Sequence, residues 1–195
     1  MGCMGRWEPG ARERLVAAAV DLFGEQGYDG TTVAQIAERA GVTRSTFFRH
    51  FPDKRELLAA GQATLSRLMS EGIAAAPAAA GPLDAVAAGL TRAAETLGPV
   101  NHDLGPRLEA LIATSEELQE RHLLKGIGLA TAMSEALLVR GVPEATARLA
   151  AEMGALAFSR GFASWSTGEQ TSGDELVRLT VEALDELRVA AAALS

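Results

Sequence analysis

Helical patterns interrupted at intervals by glycine and proline run the whole length of this sequence, and no stretch alternates apolar and polar residues with the period of two that a half-buried strand needs. The interruptions fall at Gly24, Gly27 and Asp29-Gly30, at Gly41, at Pro52, across 76–82, at Gly98-Pro99, Gly105-Pro106 and Gly141-Val142-Pro143, and from Thr167-Gly168 to Ser172-Gly173. Each holds a residue that forfeits a backbone hydrogen bond or excess chain entropy if a helix continues through it. The segments between them predict helices over 12–25, 33–40, 44–50, 54–73, 83–97, 104–113, 116–140, 144–165 and 174–193. The expected fold class is therefore all-α.

At 195 residues and 48% hydrophobic, the chain can bury a sizeable core, with room for a small module joined to a larger one. Its charge is unevenly spread. The net charge is -7, yet residues 1–60 hold eight basic and eight acidic side chains, so the whole negative excess lies beyond residue 60. The first part would tolerate a polyanion that the second would repel. Cys3, the single cysteine, rules out a disulfide framework or thiolate cluster within the chain. Charged residues, Gly or Pro break every apolar stretch short of the roughly 20 residues of a bilayer span, so no membrane is expected. The first ten residues lack the apolar core of a secretory signal and read as a short arm, which implies a cytoplasmic protein.

Residues 31–54 carry the most specific pattern. Thr31 or Thr32 can cap one short helix, whose buried face would be Val33, Ile36, Ala37 and Ala40, and Gly41 can take the positive φ of a tight turn. Thr43 can cap a second helix, Arg44-Ser45-Thr46-Phe47-Phe48-Arg49-His50. Two short helices joined in this way match the helix-turn-helix, whose second helix enters the major groove. Arg44 presents five donors in a rigid fork suited to guanine O6 and N7 or to a phosphate, and Ser45 and Thr46 suit base edges or backbone oxygens. His50 and Lys54 fall near flanking phosphates, whereas Phe47 and Phe51, four apart, point into the core. The same pattern also suits a surface αα-hairpin with solvated Arg and His.

The stretches Ala18-Ala19-Val20-Asp21-Leu22-Phe23-Gly24-Glu25-Gln26-Gly27-Tyr28, Thr31-Thr32-Val33-Ala34-Gln35-Ile36-Ala37, Ala40-Gly41-Val42-Thr43 and Thr46-Phe47-Phe48-Arg49-His50-Phe51-Pro52-Asp53-Lys54 resemble the TetR/AcrR family of transcriptional regulators. The resemblance implies an arm and three-helix DNA-binding domain over 1–56 and a helical effector-binding and dimerisation domain over 57–195. It further implies a homodimeric repressor of a double-stranded DNA operator, released by a small-molecule effector. On the family pattern, Thr43, Arg44, Ser45, Thr46, Phe48, Arg49 and His50 form the recognition helix, Lys54 contacts a phosphate, and Val33 touches DNA. At Phe48 the family more often has tyrosine, whose hydroxyl reaches a phosphate; phenylalanine offers only ring contact, for example with a thymine methyl.

Beyond residue 75 the resemblance is one of layout. Small and apolar residues on the last two helices, such as Ala150, Gly154, Ala157 and Gly161 against Leu176, Leu179 and Leu184, suit a four-helix interface with a second copy. An effector pocket is sought among Leu108, Ile112, Leu129, Met133, Phe158, Phe162 and Trp165, with Arg92, Arg107, Glu109 and His122 as polar partners. His102-Asp103 alone does not make a metal site, and no cofactor motif is present. No Ser/His/Asp order, paired acids, phosphate loop or H-E-x-x-H stands in the chain, so an enzyme is not expected. The alternative is a helical interaction protein that has lost DNA binding, which the acidic charge and Phe48 favour.

Overall fold

The computed structural model describes residues 10–57, 62–101, 112, 116–168 and 172–194, and among them it contains helices and no strand. Three helices, α1 (Ala11–Gln26), α2 (Val33–Arg39) and α3 (Arg44–His50), precede a 3-10 turn at Arg55–Leu57. Five longer ones follow: α4 (Gln62–Ala75), α5 (Pro82–Asn101), α6 (Glu116–Val139), α7 (Glu144–Ser166) and α8 (Gly173–Ala192). The expected helix over 104–113 lies outside the described residues apart from Ile112, which is helical.

Buried apolar side chains gather in separate clusters. Leu15, Phe23, Ile36 and Phe47, each at most 1% exposed, centre the N-terminal cluster, which Leu57 seals from the 3-10 turn. Each such fully buried side chain stabilises by roughly 1.5–3 kcal/mol relative to solvent. The larger cluster joins α4, α5, α6, α7 and α8 around Met69, Ile73, Leu90, Met133 and Leu137. A third, small cluster holds Ala94, Trp165 and Leu176. Leu118, near the start of α6, does not join its own helix's cluster; it is 1% exposed within the N-terminal one.

Close helix contacts rest on glycine. A Cβ at Gly72 would stand 2.6 Å from the carbonyl oxygen of Ala88 and the Cα of Gly89, and one at Gly89 would stand 2.7 Å from the carbonyl oxygen of Met69. The α4 and α5 backbones therefore touch where these two glycines face each other. Gly154 lies against Val86 and Met133, and Gly161 against Thr180, so these small residues of α7 serve packing within the chain and are buried there. That corrects the expectation that they face a second copy. At the far end of α4, the Arg140 guanidinium donates to the carbonyls of Ile73, Ala76 and Pro77 at 3.1, 2.9 and 2.7 Å, satisfying acceptors that a helix C-terminus leaves open.

Two helix boundaries differ from the sequence reading. Residues 54–57 are not the first turn of a long helix: the Asp53 carboxylate accepts from the backbone N–H groups of Arg55 and Glu56, and this cap starts a 3-10 turn instead. Nor does α5 stop before Gly98-Pro99; it runs to Asn101. Proline's fixed φ is helical, and in a last turn its ring costs the helix only one internal hydrogen bond.

By length and composition alone, Leu118–Val139 of α6 is long and apolar enough to cross a bilayer, an exception to the expectation that no stretch would be. Its sequence carries Glu120, Arg121, Lys125 and Glu135, while Leu118, Leu129, Ala130, Met133 and Leu137 are buried against other helices.

Candidate nucleic-acid interface

The turn between α2 and α3 is built from local chemistry. The Thr32 hydroxyl accepts from the Gln35 backbone N–H at 3.3 Å, and the Gln35 side-chain oxygen accepts from the Thr32 N–H at 2.9 Å, a reciprocal capping box that starts α2. Thr31 is buried and turns its hydroxyl the other way, to the carbonyl of Gly27 at 2.7 Å. After Arg39, Gly41 adopts φ +67° and the Val42 N–H returns to the Ala37 carbonyl at 2.9 Å, the left-handed helix end that glycine permits. The Thr43 hydroxyl then accepts from the Thr46 N–H at 3.1 Å and starts α3.

The two faces of α3 differ sharply. Phe47 (0% exposed) and Phe51 (2%) fix its inner side, as the four-residue spacing requires. Thr43, Arg44, Ser45, Phe48 and Arg49 are exposed, and Thr46 and His50 are half-buried beside them. Arg44 and Arg49 have no hydrogen-bond or ion-pair partner among the described residues. Other arginines of the domain are engaged. Arg39 forms a two-pronged pair with Glu25 at 2.8 and 2.9 Å, Arg55 pairs with Asp53 at 2.7 Å, and Arg14 donates to the Ala40 carbonyl at 3.1 Å. The Arg55 hydrogen bond holds the Asp53 carboxyl below its ordinary range. The helix thus offers anions two uncommitted guanidinium groups on a rigid support.

Arg12, which the sequence reading passed over, lies with its guanidinium 4.9 Å from the centroid of Phe51, so a further exposed cation of α1 stands beside the end of α3. The signal for it was the share of arginine among the basic side chains of residues 1–60, seven of eight. Val33 is half-buried against the N-terminal cluster. Lys54 is half-buried as well: its ammonium donates to the carbonyls of Tyr28 and Thr31 at 2.7 and 3.1 Å and lies 4.1 Å from the Tyr28 ring centroid. Two of its three donors are thereby spent on tying the α1–α2 connection to the segment after α3.

The residues sought for an effector pocket are distributed across the clusters. Leu129, Met133 and Phe158 are buried in the large cluster, and Trp165 is in the small one, its indole N–H donating to the Ser172 carbonyl at 3.1 Å. Phe162, partly buried, touches both and lies 6.1 Å from Phe158 and 5.6 Å from Trp165, centroid to centroid. Ile112 packs instead on the N-terminal cluster. Leu108, Arg107 and Glu109 lie outside the described residues. Arg92 pairs with Glu71 at 2.9 Å, and His122 is half-buried. An open groove of about 350 Å³ lies elsewhere, between the start of α5, Thr146–Met153 of α7 and Arg188 of α8, and holds none of these residues.

Residues 15–60 match the family model described as bacterial regulatory proteins, tetR family. Among curated proteins, the chain is 39% identical over 75 residues to the HTH-type transcriptional regulator TcmR of Streptomyces glaucescens, covering 38% of this chain and 33% of that protein. It is 38% identical over 82 residues to the regulator BetI of Rhizobium meliloti, covering 42% of this chain and 40% of that one. The matched stretches thus span about a third and two-fifths of these relatives. Among solved structures, the fold is similar to the transcriptional regulator FadR of Bacillus subtilis in complex with stearoyl-CoA (TM-score 0.59, 21% identity, 88% of this chain and 95% of that chain). It is also similar to SmeT in a complex with triclosan (TM-score 0.61, 22% identity, 93% and 91%). Residues 15–60 therefore carry a helix-turn-helix domain that matches the tetR family of bacterial regulatory proteins, and the chain as a whole has an all-helical fold similar to that of these solved structures.

Proposed function

We propose that this chain is a cytoplasmic, homodimeric transcriptional repressor that binds an operator through α3 and leaves it when a small-molecule effector binds the helices after residue 57. The observation that carries this reading is the outer face of α3, where Arg44 and Arg49 stand without partners beside exposed Thr43, Ser45 and Phe48 on a helix pinned by Phe47. Uncommitted guanidinium groups at the two ends of a short exposed helix suit guanine edges and phosphates. Thr46 and His50 flank this face, Val33 at the start of α2 is half-buried yet keeps some exposed surface for DNA, and Lys54 holds one donor for a phosphate.

The division into a reader over 1–56 and an effector domain over 57–195 is supported by the separate apolar clusters on either side of that point. A second copy is supported by exposed Leu149 and Leu156 on α7 and Val189 on α8, apolar surface that a four-helix contact between copies would remove from water. The effector is read as an apolar or amphiphilic molecule bound near Leu129, Met133, Phe158, Phe162 and Trp165, with Ile112, packed on the N-terminal cluster, and Leu108 as further candidates. The stearoyl-CoA and triclosan carried by two proteins of this fold have apolar bodies of that kind.

The test is selection of bound sequences from random duplex DNA by the full chain. An enriched palindrome with half-sites about one helical turn apart, bound more weakly as salt rises, is the expected result. No enrichment at low salt, with or without acyl-CoA present, would overturn the reading in favour of an interaction protein.

A further inference from the structure

Phe48 is the only aromatic residue among the large apolar side chains exposed in the described structure, at 50%, and the only one of them that belongs to the N-terminal domain. Its ring is not loose. It packs edge-on against the fully buried Phe47, centroids 5.4 Å apart and planes at 80°, in the arrangement that aromatic quadrupoles favour. The fold therefore holds a flat apolar surface outward, in the middle of the polar face of α3, between Arg44 and Arg49. On the interface proposed above, the ring faces the major groove, where the one apolar group on a base edge is the C5-methyl of thymine.

Resting on that reading of α3, we propose that Phe48 is a specificity-determining residue that reads the C5-methyl of a thymine in each half-site. The chemistry leaves little else for the ring to do. It has no hydrogen-bonding atom for a phosphate or for the donors and acceptors of guanine, adenine and cytosine, and facing those it would desolvate them without replacement. Arg44 and Arg49 anchor the helix, and Phe48 converts part of that anchoring into a preference for thymine.

The experiment uses the duplex recovered by selection and replaces each thymine in turn by deoxyuridine, which removes the methyl and leaves the pairing intact. Removing one methyl from contact with the ring should weaken binding about four-fold, the equivalent of burying one carbon. One thymine per half-site should show that loss with the wild-type protein. The loss should vanish with Phe48→Ala and persist with Phe48→Tyr, which keeps the ring. Since Phe48 is exposed, both variants should melt as the parent does, and a melting curve checks this. Deoxyuridine tolerated at every position, or a loss that persists in Phe48→Ala, would overturn the inference while leaving the DNA-binding reading intact. A selection that recovers no sequence would overturn both.

Discussion

The ammonium of Lys54 lies 4.1 Å from the centroid of the Tyr28 ring and donates at 2.7 Å to that same residue's carbonyl. A third contact, to the Thr31 carbonyl at 3.1 Å, binds the residue immediately before the α2 cap. One side chain after α3 thus fixes the connection that launches α2, and the spatial relation of the two helices depends on it. Lys54→Met should remove charge-assisted hydrogen bonds and a cation–π contact together, costing about 1–3 kcal/mol. Thermal melting should fall by several degrees, and affinity should drop alike for all DNA sequences. An unchanged melting point would contradict this role.

Thr32 and Gln35 cap α2 reciprocally. Thr32→Ala should cost about 1 kcal/mol and Thr32→Ser little, because serine keeps the accepting oxygen. Urea denaturation of the three proteins side by side distinguishes a capping role from mere surface exposure.

Leu118 sits on α6 yet is buried with Leu15, Phe23 and Phe47. Its truncation to alanine should cost about 2–4 kcal/mol and loosen the link between the N-terminal domain and the helices behind it. Followed by tryptophan fluorescence and far-ultraviolet circular dichroism together, wild-type unfolding should give one coincident transition, whereas Leu118→Ala should separate the two probes. Coincident curves at an unshifted midpoint would show that Leu118 couples nothing.

The crossing of α4 and α5 has no room for a side chain at Gly72, where a Cβ would fall 2.6 Å from backbone atoms of Ala88 and Gly89. Gly72→Ala must push the two helices apart and should destabilise by about 1–3 kcal/mol, although alanine is the better helix former. A rise in stability on this substitution would contradict the close approach.

Much of the reading end was legible from the sequence because its determinants are local. Thr32, Gly41 and Thr43 act within a few residues of themselves, and the Phe47–Phe51 spacing follows from one helical turn. Lys54 was harder. Its partners lie 23 and 26 residues away, so sequence suggested only a cation near a phosphate. The start of α4 was misjudged because Asp53 caps a 3-10 turn as readily as an α-helix, and the hydrogen-bond pattern that distinguishes them is set by tertiary packing. Gly98-Pro99 read as a break because the cost of proline depends on its distance from the helix end, which sequence does not display. The small residues of α7 suggested a contact between copies; Gly154 and Gly161 instead admit Met133 and Thr180 of the same chain. Small residues announce close packing but not the partner.

The central claim is that the exposed face of α3 reads DNA, and Arg44 tests it most directly. Binding of the selected duplex and of a scrambled one should be titrated with wild-type protein and with Arg44→Ala. Loss of one base-reading guanidinium should weaken the selected duplex by about 1–3 kcal/mol, roughly 5- to 150-fold, and the scrambled duplex far less, narrowing the ratio between them. An unchanged ratio would show that α3 does not read the sequence and would contradict the account.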